Sequence, residues 1–185
     1  MRPMLARFFY TKYSDRTVAK KRFTVFADGY NILHAWQPYH ALLEADFDSA
    51  RMQLIEDMAE YYSMTKNELI LVFDAHKVKS RSQVEEKYKG IKIVYTKPLE
   101  TADSYIEKTV SRSPVTYRVM VVSNDSMIQQ IILGQGGIRV TVAEFMTELE
   151  DRRNFIRRKS SRQKIQEKVK NLVSLEDLLT NLEEK

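Results

Sequence analysis

Acidic side chains stand at the ends of four apolar segments of this chain. FTVFAD ends at Asp28, LILVFD ends at Asp74 and VMVVSND ends at Asp125. The fourth segment, IKIVYT, leads into ETAD, which carries Glu100 and Asp103. If these segments are parallel strands, the acids lie at the carboxyl edge of one sheet, where open α/β sheets bind their ligands. Gathered carboxylates repel one another unless a cation lies between them, and hard divalent cations such as Mg²⁺ prefer oxygen ligands. The pattern therefore predicts a metal site.

Each of these acids also has a local structural explanation. Asp28 precedes Gly29 and can cap the strand end as an Asx-turn, and Asp125 can be the N-cap of a following helix. Asp103 lies in the first turn of a predicted helix, where its charge favours the helix dipole. His76, in the string FDAH, could act as a general base, although a single loop histidine more often has no catalytic role. The coincidence of acids at several strand ends favours a metal site over independent structural roles.

Short apolar segments alternate with amphipathic ones along the chain. Strands are predicted at 23–28, 69–74, 91–95, 117–123 and 138–140. Helices are predicted from Asp46 or Asp48 to about residue 64, over 101–111 and 126–133, and from a T-x-x-E capping box at Thr141 and Glu144 into the basic stretch, with a final short helix starting near Ser174. Residues 28–31 are predicted to form a turn and residues 75–90 a mobile loop. This alternation predicts an α/β fold with a mainly parallel central sheet.

Basic residues lie towards the two ends of the chain. The net charge is +5 over 185 residues, but residues 1–22 carry +6, residues 23–150 carry −5, residues 151–170 carry +7 and residues 171–185 carry −3. An acidic body between basic segments suits a metal-dependent enzyme that acts on a polyanion, because the carboxylates hold the metal and the cations bind phosphates. The alternative is that the basic segments serve only solubility.

Composition and absent motifs exclude several classes of function. The length and the 43% hydrophobic content suit one domain with a tail. The chain has no cysteine, which excludes disulfides, zinc–thiolate sites and cysteine nucleophiles, and no apolar run approaches the roughly 20 residues of a membrane span. A P-loop motif, a dinucleotide-binding G-x-G-x-x-G after a strand and a G-x-S-x-G nucleophile elbow are all missing.

Five short strings, in order, carry a family resemblance. They are DGYN with HAW at 28–36, FDAH at 73–76, TK and ETADSYIEK within 96–108, SND at 123–125 and GQGG at 134–137. With them the chain resembles the YacP-like NYN domain, a family of PIN-like nucleases. The resemblance covers roughly residues 23–150 and implies a three-layer α/β/α PIN-like domain with a mainly parallel central sheet. The charge distribution adds a basic N-terminal extension at 1–22, which has no clear counterpart in the family, and a basic C-terminal helical tail at 151–185.

The resemblance also implies an activity and a site. The activity is that of an endoribonuclease, a hydrolase that uses Mg²⁺ or Mn²⁺ and cleaves mRNA associated with translating ribosomes. The implied catalytic acids and metal ligands are Asp28, Asp103 and Asp125; Glu100 is a further candidate metal ligand because it stands close to Asp103 in the chain, and the candidate supporting residues are Asn31, Asp74 and Ser123. The family favours a hydroxyl residue immediately before its last acid, where this chain has Asn124.

Two basic segments supply the candidate RNA-binding residues. These are Lys77, Lys79 and Arg81 in one segment and Arg152, Arg153, Arg157, Arg158 and Lys159 in the other. Tyr30 and Trp36 could stack on bases. The expected partners are RNA and the ribosome, with no membrane, and the expected location is the cytoplasm, or an organelle if residues 1–22 form a transit segment. The alternative function is an RNA- or ribosome-binding module with little or no cleavage, whose acids only form turns.

Overall fold

The sheet at the centre of the fold is built from short apolar segments. In the computed structural model, which describes residues 22–74, 83–113 and 118–183, the strands are β1 (Thr24–Asp28), β2 (Glu68–Phe73), β3 (Val84–Tyr88), β4 (Ile91–Tyr95), β5 (Val119–Val122) and β6 (Ile138–Val140). Their order across the sheet is β3-β4-β2-β1-β5-β6. All neighbours pair in parallel except β3 and β4. The strand in the middle, β1, pairs Val25 with Leu69 of β2 and with Met120 of β5.

Helices cover both faces of this sheet. They are α1 (Gly29–Ala35), a 3-10 turn (Gln37–Tyr39), α2 (His40–Ala45), α3 (Phe47–Thr65), α4 (Ala102–Ser111), α5 (Ser126–Gly134) and α6 (Val142–Glu183). On one face Phe26 and Val72 pack with Ile106 of α4 and Ile132 of α5 in a single buried cluster. Buried aliphatic side chains of this kind each stabilise a fold by roughly 1.5–3 kcal/mol. The predicted three-layer α/β fold with a mainly parallel sheet is confirmed.

Two predicted helix starts are confirmed by their caps. Asp46 precedes α3, and its carboxylate accepts hydrogen bonds from the N–H groups of Asp48 at 3.2 Å and Ser49 at 3.0 Å. Glu144 Oε2 accepts from the Thr141 N–H at 2.9 Å while Thr141 Oγ1 accepts from the Glu144 N–H at 3.2 Å. This reciprocal pair is the capping box expected at the start of α6.

The structure corrects three predictions of local structure. Part of the predicted loop 75–90 is strand β3, whose residues VEEKY are largely exposed; they form a charged edge strand rather than a buried one, so their sequence lacks an apolar pattern. Residues 75–82 of that loop lie outside the described part of the chain. The predicted turn after Asp28 is helix α1, and the predicted new helix near Ser174 is wrong because α6 runs unbroken to Glu183.

The chain divides into two compact units, Met1–Thr147 and Glu148–Lys185. The first contains the sheet and helices α1 to α5, and the second is the rest of α6. Within the described residues, no helix is both long enough and apolar enough to cross a membrane.

Candidate functional site

Asp28 lies at the carboxyl end of the central strand. It is the N-cap of α1, and its Oδ1 accepts a hydrogen bond from the Asn31 N–H at 3.0 Å. Side chains alternate between the faces of a strand, so Asp28 shares the face of Phe26, which is the face that α4 covers. Its exposed fraction is only 9%. The predicted capping role is therefore present, but it satisfies one oxygen of a carboxylate that is otherwise withdrawn from water.

The ionised form of Asp28 is disfavoured. The pKa of Asp28 is raised to about 6, mainly by burial and also by the negative charges of Asp103 and Asp74, against the lowering effect of the hydrogen bond from Asn31. A carboxyl group that still holds a proton near pH 6 is one whose environment lacks a compensating positive charge. Asp28 and Asp103 come from segments far apart in sequence, and the structure brings them within electrostatic reach of each other.

Asp103 lies in the first turn of α4. Its Oδ1 is buried and has no hydrogen-bond partner among the described residues. Burial, followed by the charges of Asp125 and Asp74, raises the pKa of Asp103 above its ordinary value. A buried acceptor without a partner is unfavourable. A proton or a cation bound to this oxygen would relieve that cost.

Asp74 and Asp125 complete the acidic edge. Asp74 follows β2, and its Oδ1 accepts a hydrogen bond from the N–H of Ala102 at the start of α4, which ties the end of β2 to the helix that carries Asp103. Asp125 is the N-cap of α5 and accepts from the N–H groups of Met127 at 2.7 Å and Ile128 at 3.3 Å. Both acids thus accept hydrogen bonds from backbone N–H groups at the start of a helix. The charges of both also raise the pKa of Asp103.

The four acids interact electrostatically, but they do not converge on one point. Across residues 22–74, 83–113 and 118–183, no three His, Asp or Glu side chains are grouped closely enough to hold a metal ion between them. Mg²⁺ does not require such a group, because it keeps several waters and usually binds through one or two carboxylates together with substrate phosphates. Asp28 and the partnerless Oδ1 of Asp103 could supply the one or two carboxylates of such a site.

Glu100 is placed differently from the other candidate ligands. Its Oε1 lies 3.6 Å from the Nζ of Lys108, and its Oε2 is buried with no hydrogen-bond partner in the described chain. The charges of Asp103 and Asp74 raise the pKa of Asp28, and those of Asp125 and Asp74 raise the pKa of Asp103. Glu100 does not contribute to either shift. The structure therefore groups Glu100 with Lys108 rather than with the acidic edge.

A network of amide and hydroxyl groups holds the loop after β5. Asn31 Oδ1 accepts from the Asn124 N–H at 2.8 Å, and Asn124 Oδ1 accepts from the Val142 N–H at 3.0 Å. Ser123 is buried, and its Oγ accepts from the Asp125 N–H at 3.0 Å. Asn31 and Ser123 thus position the loop that carries Asp125. Asn124 joins that loop to the start of α6.

The predicted RNA-binding residues differ in whether the structure describes them and in how exposed they are. Lys77, Lys79 and Arg81 lie outside the described residues. On α6, the guanidinium of Arg152 pairs with Glu148 at 2.6 Å. Arg152 and Arg153 are half-buried, whereas Arg157, Arg158 and Lys159 are exposed.

Tyr30 has a packing role that its sequence position did not reveal. Its ring lies 5.6 Å from that of Phe47 and 5.2 Å from that of Phe73, measured between centroids. The ring of Phe73 also leaves no room for a side chain at Gly29, because a Cβ there would overlap it. Tyr30 and Phe73 therefore form the packed support behind Asp28. The expectation that Tyr30 stacks on RNA bases does not fit this packing.

Comparisons with known proteins agree with the fold. The family model of the YacP-like NYN domain matches residues 25–184. A Bacillus subtilis (strain 168) protein called "Uncharacterized protein YacP" is 37% identical over 127 residues, which cover 68% of this chain and 74% of the relative. A crystal structure of Rae1 (YacP) from Bacillus subtilis is 33% identical with a TM-score of 0.63, covering 86% of this chain and 92% of that one. A single-substitution variant of the same protein gives 34% identity and a TM-score of 0.63 over 74% of this chain and 80% of that one. The chain therefore belongs to the YacP-like NYN domain family, within a superfamily of nucleases.

Proposed function

We propose that this protein is an endoribonuclease that hydrolyses RNA phosphodiester bonds with Mg²⁺ or Mn²⁺. The observation that carries the proposal is the pair of carboxyl groups of Asp28, which is buried, and Asp103, which is half-buried. They repel each other at the carboxyl edge of the sheet, and the pKa values of both are raised. Membership of a nuclease superfamily supports the same activity. In open α/β sheets this edge is the usual place for a ligand.

The acids of the edge have distinct roles in this proposal. Asp28 and Asp103 hold the cation, with Asp125 as a third catalytic acid. Asp74 fixes the start of α4 through the Ala102 N–H and thereby positions Asp103. Asn31 and Ser123 position the loop of Asp125. A bound divalent cation would supply charge stabilisation to the phosphate and a more acidic water.

RNA is the substrate class that the charge distribution supports. The exposed cations of α6, including Arg157, Arg158 and Lys159, suit contacts to phosphates. We place the activity on mRNA in a translation-associated setting in the cytoplasm, with the ribosome as a partner.

One observation favours a second candidate function. Among the described residues, no three acids lie close enough together to hold a metal ion. This is what we expect of a binding module whose acids serve only as helix caps. In that case the protein binds RNA or the ribosome with little or no cleavage, and the caps made by Asp28 and Asp125 are their whole role.

A cleavage assay separates the two candidates. The full chain is incubated with labelled single-stranded RNA in Mg²⁺, in Mn²⁺ and in excess chelator. We expect metal-dependent cleavage that falls by at least about a hundredfold in Asp28→Asn and, separately, in Asp103→Asn, since loss of groups that merely support ligands already costs about ten- to a hundredfold. Asparagine keeps an acceptor oxygen and nearly the same volume, so circular dichroism should show both variants folded.

The matched control is Glu56→Gln, which removes an acid that is paired with Lys89 at 2.7 Å. This variant should cleave as the wild type does. Cleavage that persists in chelator, or that survives either aspartate substitution, would contradict the nuclease assignment.

A further inference from the structure

The turn that joins β4 to α4 carries an unusual leucine. The Glu100 N–H donates to the Lys97 carbonyl oxygen at 3.0 Å, so Pro98 and Leu99 occupy the two central positions of the turn. Leu99 has φ of 70°, in the left-handed region, at a position where such turns favour glycine. Its side chain is 92% exposed. Leu99 therefore neither eases the turn nor packs in the core, and strained, exposed residues of this kind are characteristic of binding sites.

A basic cleft opens beside this turn. Its volume is about 340 Å³, and it is lined by Gln83, Lys97, Tyr105, Lys108, Thr109 and Arg112. None of the six is acidic. Lys108 is engaged with Glu100 at 3.6 Å, whereas Lys97 and Arg112 form no ion pair with any residue of the described ranges. The cleft thus presents two uncompensated cations and a third that is shared.

One face of α4 supplies most of the cleft. Tyr105, Lys108, Thr109 and Arg112 recur at spacings of three and four residues, which places them along one side of a helix. Asp103 is on the first turn of the same helix. At about 1.5 Å per residue, Arg112 lies about 14 Å along the helix axis from Asp103.

The cleft begins at the same sheet edge as the candidate site. Lys97 follows β4, and β4 is parallel to β2, whose end carries Asp74. The turn 97–100 and the acids are therefore neighbours along one edge, and the cleft leads away from them down the side of α4. Nine residues, or two and a half helical turns, separate Asp103 from Arg112, so the acid and the cleft lie on opposite sides of α4. RNA that crosses the turn 97–100, at the start of this helix, could reach both sides.

We propose that the turn 97–100 and this cleft form a binding surface for the single-stranded RNA that flanks the cleavage position. Lys97 and Arg112 contact successive phosphates, and the exposed side chain of Leu99 packs against the face of an unstacked base. The inference rests on the proposed function for its ligand class, since a linear polyanion supplies both the repeated negative charge and the apolar base faces that the surface offers.

The first test measures how RNA affinity depends on salt. The full chain is titrated with a labelled single-stranded oligoribonucleotide in chelator, so that binding is read without cleavage. For Lys97→Gln with Arg112→Gln we expect affinity to fall by roughly tenfold at low salt, and the slope of log affinity against log salt to decrease by about 1.4, or about 0.7 for each lost phosphate contact. A slope equal to that of the wild type would overturn the proposal.

The matched control removes a cation from the opposite edge of the sheet. Lys66 is the C-cap of α3, just before β2, with φ of 58°. Lys66→Asn keeps a residue that tolerates this conformation and should leave the salt slope unchanged. The control removes one cation and the cleft variant two, so a decrease in slope half as large in the control would show that net charge, and not the cleft, sets the affinity, and would also overturn the proposal.

The second test uses the strain at Leu99. Leu99→Gly should raise the melting temperature, because glycine adopts the left-handed conformation without a steric cost, and should still weaken RNA binding several-fold. Met52→Ala, which trims another exposed apolar side chain on α3, is the control and should bind RNA as the wild type does. If Leu99→Gly is more stable but binds RNA normally, Leu99 has no part in binding.

The two proposals fail in different ways. Normal RNA binding by the cleft variants together with metal-dependent cleavage would remove the surface and leave the nuclease. Weakened binding by those variants in a protein that never cleaves would support the surface and remove the nuclease.

Discussion

The pKa values of the acids at the carboxyl edge of the sheet and those of acids elsewhere on the surface are shifted in opposite directions. Hydrogen bonds from Ser49, Lys89 and Lys92 lower the pKa values of Asp46, Glu56 and Glu85 respectively. Burial and mutual repulsion raise those of Asp28 and Asp103. The surface acids contribute stability as anions, whereas the edge acids oppose folding until a proton or a cation neutralises them. The contrast shows that the edge is arranged for binding and not for stability.

The largest effect should come from removing the buried charge of Asp28. The pKa of Asp28 is about 6 in the folded protein, above its ordinary value of 3.8. The folded state therefore binds this proton more tightly than the unfolded state, so the stabilisation is present below about pH 4 and is lost as the pH rises through about 6. At about 1.36 kcal/mol per pKa unit, the loss amounts to about 3 kcal/mol at most.

Urea denaturation in chelator, repeated from about pH 4 to about pH 7.5, measures this effect. Asp28→Asn should lack the loss and should be more stable than the wild type at neutral pH. The surface acids change stability in the opposite direction with pH, but they are common to both proteins and cancel in the difference. A wild type and variant that differ by the same amount at every pH would show that the Asp28 carboxyl titrates normally.

A smaller effect should follow from disturbing the support behind Asp28. In Gly29→Ala the new Cβ would overlap the ring of Phe73, and overpacking of this kind costs about 1–3 kcal/mol. We expect lower stability and slower cleavage together, because Asp28 is the adjacent residue. Gly134→Ala is the control, since its Cβ would meet no atom within 4 Å. Unchanged stability in Gly29→Ala would mean that Phe73 moves aside freely.

The smallest effect should come from a surface acid. Glu85 pairs with Lys92 at 2.6 Å, and its side chain is 43% exposed. Glu85→Gln should lower the free energy of unfolding by less than about 1 kcal/mol, because exposed ion pairs contribute little, and cleavage should not change. If Glu85→Gln were more stable than the wild type, the surface acid Glu85 would oppose folding as the edge acids do, and the contrast between the two groups would be wrong.

Local sequence reasoning located the acids but not how they are brought together. Asp28 and Asp74 were predictable because Asp28 ends one buried apolar strand and Asp74 directly follows another, and the strands proved parallel. That Asp103 faces them depends on where α4 lies over the sheet, which no local pattern encodes. The pairing of Glu100 with Lys108 also depends on the fold, since the two are eight residues apart across the start of α4.

Other features escaped prediction for definite physical reasons. Strand β3 is charged because it lies at the edge of the sheet, so the apolar pattern that reveals buried strands is missing. The left-handed conformation of Leu99 could not be predicted, because leucine rarely adopts it. The role of Asn124 depends on contacts to Asn31 and Val142, both distant in sequence.

Calorimetric titration of the full chain with Mn²⁺ near pH 6 tests the central claim most directly. A cation held by Asp28 and Asp103 must displace the proton that Asp28 retains at this pH, so the heat should depend on the ionisation enthalpy of the buffer. We predict saturable binding with proton release in the wild type and none in Asp28→Asn or Asp103→Asn. The absence of binding in the wild type, or equal binding in both variants, would contradict the account.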